Sequence, residues 1–277
     1  LLLAHGADPN AYHGSRSPLH EAVMRPAVDT VRALLAAGAR VDERDRSGYT
    51  PLIATMNELL SAGQRSQRND DDNSFEVASD FVPRTVALLL QHGADASDLD
   101  PKGRSLLWTA LAVVPPEGLI EQLIDAGATV DGVITYGDEE LDFLAAALVR
   151  RQPLSVLRRL IVAGCPIDTR YEFLGNNTAV GCLAGWFPDA ALALIEELDV
   201  LERAMLTTRT GKGSTMLAMA AATAGHEALT RRLHAAGLSV RERNAEGKSC
   251  LDLTREEKPH MVPLIEELLA AEPASER

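Results

Sequence analysis

One phrase recurs along this chain of 277 residues: a Leu-rich helical run, then Gly-Ala or a close relative, then a short polar stretch. It reads Leu1-Leu2-Leu3-Ala4-His5-Gly6-Ala7-Asp8, Leu34-Leu35-Ala36-Ala37-Gly38-Ala39 and Leu88-Leu89-Leu90-Gln91-His92-Gly93-Ala94-Asp95. It returns as Leu123-Ile124-Asp125-Ala126-Gly127-Ala128, and more loosely at Leu160 to Cys165 and Leu233 to Leu238. Most of its glycines (Gly6, Gly38, Gly93, Gly127, Gly164, Gly237) recur at about 33 residues, the period of a repeat too short to bury its own apolar face. The gap from Gly38 to Gly93 is longer by about 22 residues, an insertion. The gap from Gly164 to Gly237 is about two periods, with a copy lacking the glycine at Leu194-Ile195-Glu196-Glu197-Leu198-Asp199.

A second phrase keeps phase with the first: Ser17-Pro18-Leu19-His20-Glu21-Ala22, Thr50-Pro51-Leu52-Ile53, Ser105-Leu106-Leu107-Trp108-Thr109-Ala110 and Thr215-Met216-Leu217-Ala218. Ser or Thr followed by Pro is a helix N-cap with Pro at the first helical position, where no N–H is needed. Leu19, Leu52, Leu107 and Leu217 then point inward, with Ala one turn later to allow close packing. The glycine of the first phrase ends the second helix in a left-handed conformation that a Cβ makes costly.

Together the phrases resemble the Thr-Pro-Leu-His-x-Ala signature of ankyrin repeats, whose upstream Asp-x-x-Gly-x-Thr is visible as Asp45-Arg46-Ser47-Gly48-Tyr49-Thr50. The resemblance implies an all-α fold, an ankyrin-repeat solenoid of stacked helix-turn-helix units with β-hairpin-like fingers, as a single domain over 1–277. The expected units are a partial repeat 1–10, repeats 11–43, 44–98, 99–132, 133–169, 170–204 and 205–242, and a C-terminal capping repeat 243–277. Phe143 and Val180 are expected at the inward position of the two irregular units. The insertion, about 61–82, is polar, carries Asp70-Asp71-Asp72 and is expected as a surface loop between two helices. Leu1, Leu2 and Leu3 start inside a second helix and should fray if nothing precedes them.

Composition limits the function. Aromatic residues are only 4 %, so the core is built from aliphatic residues and alanine, which suits closely packed helices. A net charge of −13 disfavours a nucleic-acid backbone and an anionic membrane surface, and fits a basic protein partner better. Lysines are few (Lys102, Lys212, Lys248, Lys258); with the abundance of Ala and Arg this hints at a bacterial genome. Cys165, Cys182 and Cys250 are odd in number and lack CxxC spacing, so they are read as small core residues of a reducing, cytoplasmic compartment, although N-terminal targeting signals could lie upstream. No cofactor or metal is expected.

Apparent catalytic motifs dissolve into the repeat. Gly211-Lys212-Gly213-Ser214-Thr215 lacks the Ser or Thr that must directly follow Lys in a phosphate loop, and falls in a finger. The seven histidines form no HExxH. His20 sits at the signature position, where a hydrogen bond ties neighbouring fingers; His5, His92 and His234 can meet the last carbonyls of a helix. The expectation is therefore no enzyme, but a monomeric, non-catalytic scaffold that binds a partner protein. By resemblance, contact falls on the finger tips and the concave face of the first helices. That marks Arg46, Ser47 and Tyr49 with Asn57 and Glu58; Lys102, Arg104 and Trp108; and Lys212, Ser214, Glu246 and Lys248. The alternative is the recognition arm of a longer enzyme or effector whose catalytic part lies upstream of residue 1.

Overall fold

The computed structural model describes residues 2–68, 73–136 and 138–273. Where one array over 1–277 is expected, its contacts cluster into two compact units, Leu1–Thr135 with Val162–Cys165, and Tyr136–Ile161 with Pro166–Arg277.

In the first unit, helices α1 (Pro18–Val23), α3 (Pro51–Arg68) and α5 (Leu106–Leu111) pack side by side as an inner layer. Each pairs with the helix that follows it: α2 (Val28–Ala36), α4 (Ser74–Gln91) and α6 (Leu119–Asp125). Inward Leu19, Leu52 and Leu107 are completely or almost completely buried.

Each inner helix starts on one device. The side chains of Ser17, Thr50 and Ser105 accept the backbone N–H three residues on. Such a cap stabilises a helix by about 1 kcal/mol. The outer helices end on another. The amide of Gly38 donates to Leu35 and that of Ala39 to Leu34, a pattern repeated by Gly93 with Ala94 and by Gly127 with Ala128. Gly38, Gly93 and Gly127 have φ of 87°, 90° and 86°, in the region that favours glycine.

The second unit follows strand β1 (Val133–Tyr136) and opens with β2 (Glu139–Asp142). Its inner layer runs through α7 (Phe143–Val149), α9 (Ala179–Trp186), α12 (Met216–Ala218) with a π-helical continuation Met219–Ala224, and α14 (Cys250–Glu257). Asp142, Thr178, Thr215 and Ser249 cap these helices, so the two irregular units carry the same signal in altered residues. Phe143 and Val180 are fully buried. The outer elements are α8 (Leu154–Val162), α10 (Pro188–Glu197), α13 (Glu227–Ala235) and α15 (Val262–Ala271). Strands β3 (Arg170–Tyr171) and β4 (Asn177–Thr178) pair antiparallel as one finger.

Three expectations need correction. The polar stretch 61–82 is not a surface loop: residues 61–68 continue α3 and residues 74–82 open α4. Ala62, Ala78, Phe81 and Val82 are buried at helical spacing, so the polar residues fall on the solvent side. The Asp70-Asp71-Asp72 triplet lies outside the described residues. The N-terminal run is only a single 3-10 turn, Leu3–His5, with Leu2 exposed, and Leu1 lies outside the described residues. Finally, α10 lacks a glycine stop, as expected, but is not followed directly by the next finger. At Leu198 the chain turns extended (φ −124°, ψ 97°) and starts an additional helix, α11 (Asp199–Thr207), against α9 and α10.

Candidate functional site

The fingers are built on one side chain each. Asp45 Oδ1 accepts the amides of Ser47 and Tyr49, and Asp100 Oδ1 accepts those of Lys102 and Arg104. Asn244 Oδ1 does the same for Glu246 and Lys248, and Thr210 Oγ1 accepts the amide of Ser214. A short acceptor at this position closes the turn locally and turns the next side chains outward.

Adjacent tips are stitched. The Arg46 amide donates to the Ser15 carbonyl at 3.1 Å, and the Ala245 amide to the Lys212 carbonyl at 2.9 Å. His20, completely buried, links helix to finger: its Nδ1 lies 2.8 Å from Ser17 Oγ and its Nε2 2.9 Å from the Tyr49 carbonyl. His92 Nδ1 meets the Leu88 carbonyl, whereas His234 pairs with the Glu272 carboxylate at 3.2 Å instead of a helix carbonyl.

In the first unit this construction leaves a groove of about 350 Å³ lined by Tyr49, Asn57, Glu58, Gln64, Lys102 and Arg104, among others. Five of the eight residues expected here therefore share one cavity. Arg46 and Ser47 stand exposed on the neighbouring finger tip. Trp108 is placed differently from expectation. It is half-buried beneath Arg104, whose guanidinium lies 4.4 Å from the ring centroid. Arg104 also hydrogen-bonds Asp100 at 2.7 Å, so Trp108 supports a charged contact and is not a freely presented aromatic. Gln64 and Ser61 in the groove escaped sequence reasoning because their stretch reads as a loop; the helical spacing of Met56, Leu59 and Ala62 was the available signal.

Burial alone would raise the Asp100 carboxyl, but hydrogen bonds from the Arg104 side chain and the Arg104 and Lys102 amides outweigh it and hold it below the usual carboxylate range. A depressed carboxylate adds stability above its unfolded value and loses it as pH falls through the depressed one. Asp100→Asn is thus expected to cost about 1–2 kcal/mol near neutrality and to remove part of the loss of stability below about pH 4. Thermal melts of both proteins between acid and neutral pH check this; parallel curves would contradict it.

The second unit holds a separate groove of about 480 Å³, containing Lys212, Ser214, Glu246 and Lys248. Met219, Ala222 and Thr223 of the π-helical segment also line it. Here the charges are satisfied internally: Lys212 pairs with Glu246 at 3.3 Å and Lys248 with Glu256 at 2.6 Å. Nothing in the Ala-rich stretch signalled the π geometry.

Other chemistry is quiet. Among the described residues no group of His, Cys, Asp and Glu could hold a metal ion, and no helix is long and apolar enough to cross a membrane. Burial pushes the Cys182 thiol up to about 12 and, in the main, the Cys250 thiol up to about 11, which suits core packing and not nucleophilic work.

Comparisons with known proteins add the following. Residues 19–54 match a family model described as ankyrin repeats in many copies. The chain is similar to ankyrin repeat and SOCS box protein 16 of Mus musculus, 33 % identical over 146 residues, covering 46 % of this chain and 32 % of that protein. It is also similar to the E3 ubiquitin-protein ligase KEG of Arabidopsis thaliana, 30 % identical over 145 residues, covering 46 % of this chain and 9 % of that one. The chain thus matches less than two thirds of the length of either relative. Among solved structures, the ankyrin repeat domain of Bcl-3 aligns over 92 % of this chain and 100 % of its own, with a TM-score of 0.49 and 19 % identity.

Proposed function

The chain is a member of the ankyrin-repeat family, and from that premise we propose that it is a non-catalytic scaffold which docks a partner protein on its fingers and inner helices. Repeats of this family are in general protein–protein interaction modules, typically without catalysis of their own. The observation that carries the proposal is the first-unit groove, where residues from successive fingers and from α3 converge on one cavity. A cleft with an aromatic, an amide and charged groups on rigid supports has the make-up of an interface centre.

In this view the scaffold works as a monomer in the cytoplasm, a reducing compartment that suits three buried cysteines. A second reading is favoured by one relative. An E3 ubiquitin-protein ligase contains the matching stretch as 9 % of its length, so such repeats also occur inside a longer enzyme, for which this chain would be the recognition arm.

Replacing Arg46, Tyr49 and Lys102 together by alanine is expected to weaken partner capture roughly 30-fold, a loss of about 2 kcal/mol at the interface centre. The check is affinity capture from host lysate with wild type and variant side by side, after melting curves confirm that both are folded. Identical sets of captured proteins would remove the proposed surface.

A further inference from the structure

The charge of the whole chain and the charge of the first-unit groove point in opposite directions. A chain of net charge −13 attracts basic proteins at long range, but local groups decide what docks. Around this groove the acids are already engaged. Asp45 is buried, with one carboxylate oxygen holding the finger turn and the other 3.5 Å from Arg16. Asp100 is buried in the same manner under Arg104. Glu58 is held by Arg65 at 2.8 Å.

The cations are less committed. Lys102 lines the groove and Arg46 stands on the adjacent tip, both exposed, and neither has a carboxylate partner among the described residues. Their fingers touch: a Cβ on Gly48 would meet Pro101, next to Lys102, at 3.2 Å. Arg16, on the preceding finger and only loosely paired, extends the row. The second unit supplies the contrast. Its corresponding finger cations, Lys212 and Lys248, each meet a glutamate of the same unit, which leaves no unmatched positive charge on that pair.

We infer that the first-unit groove takes an acidic segment of a protein partner, with its Asp and Glu side chains set against Lys102 and Arg46. The inference rests on the docking surface proposed above and adds its chemistry. Two accessible, unmatched cations on touching fingers give carboxylates spaced along an extended chain successive partners, while a basic segment would meet like charge there.

The experiment is selection of a random twelve-residue peptide library, displayed on yeast, against the full chain. Four baits are compared: wild type, Lys102→Glu with Arg46→Glu, Lys212→Glu with Lys248→Glu, and the Arg46/Tyr49/Lys102 alanine variant. All substitutions lie on exposed or half-exposed side chains, so every variant should fold, with the second-unit variant melting slightly lower because its two surface ion pairs are lost. Wild type and the second-unit variant are expected to enrich peptides rich in Asp and Glu, and the first-unit variant to lose that bias. Individual acidic peptides should bind the first-unit variant about tenfold more weakly, and their binding to wild type should weaken as salt is raised. Neutral or basic winners on wild type, lost in the Arg46/Tyr49/Lys102 alanine variant, would keep the docking surface and overturn its acidic preference. Acidic enrichment that survives charge reversal would overturn the assignment to Lys102 and Arg46. No enrichment on any bait would count against the docking surface itself.

Discussion

Gly211→Ala is expected to unseat the finger that carries Lys212, with a loss of about 2–3 kcal/mol and a melting temperature lower by roughly 5–10 °C. A Cβ at Gly211 would overlap the Gly175 carbonyl oxygen and come within 2.9 Å of Asn176 Cβ. Neither can swing aside as a long side chain would. Gly175 and Asn176 form a left-handed turn, with φ of 67° and 60°, closed by the Asn176 amide on the Tyr171 carbonyl. The same displacement would break the bond from the Gly211 amide to Asn177 Oδ1 at 3.2 Å. Hydrogen exchange should therefore rise in residues 208–216 before anywhere else. Gly38→Ala is the control: its φ is positive, unlike that of Gly211, and a Cβ there meets nothing within 4 Å, so only the backbone cost of about 1 kcal/mol is expected. Equal melting of the two variants would show that the close approach at Gly211 does not constrain the fold.

The second large effect belongs to His20. Replacing it by alanine leaves a void in a completely buried position and strips the Tyr49 carbonyl and the Ser17 hydroxyl of a partner. Void and orphaned polar groups together are expected to cost about 3 kcal/mol. His20→Gln can reach one of the two partners and should recover about 1 kcal/mol of this. Because Tyr49 lines the groove, the alanine variant should also weaken capture of the partner, although His20 itself is inaccessible. Denaturant midpoints for the three proteins provide the check. A His20→Ala midpoint within error of wild type would mean that the finger is held by its turn alone.

Both effects start from residues that were conspicuous for different reasons. His20 was legible because it occupies a fixed place in a repeated phrase. Gly211 was noticed only as part of a failed phosphate loop, and its constraint comes from Gly175, 36 positions earlier in the chain. The expected surface was legible in the same uneven manner. Tyr49, Asn57, Glu58, Lys102 and Arg104 converge on one groove, and Lys212, Ser214, Glu246 and Lys248 on another. Trp108, the most conspicuous aromatic, turned out to lie beneath Arg104.

What the sequence by itself determined was everything closed within a few residues of chain. A Ser, Thr or Asp cap and an Asp, Asn or Thr at the base of a finger accept amides two to four positions on, and the amides at a glycine stop donate to carbonyls three to five positions back. Such signals depend on residue type and spacing, so they survive even where the repeat degenerates, as Asp142 and Thr178 show. Only the tertiary structure decided what depends on distant neighbours. Residues 61–68 and 74–82 are helical because Ala62, Ala78, Phe81 and Val82 find a core to enter, which outweighs the turn-forming character of the residues between them. Likewise, Lys212 and Lys248 meet glutamates while Lys102 meets no carboxylate among the described residues, a difference set by which side chains the packing brings within 4 Å. Charge composition counts residues; docking depends on where the folded chain leaves them unmatched.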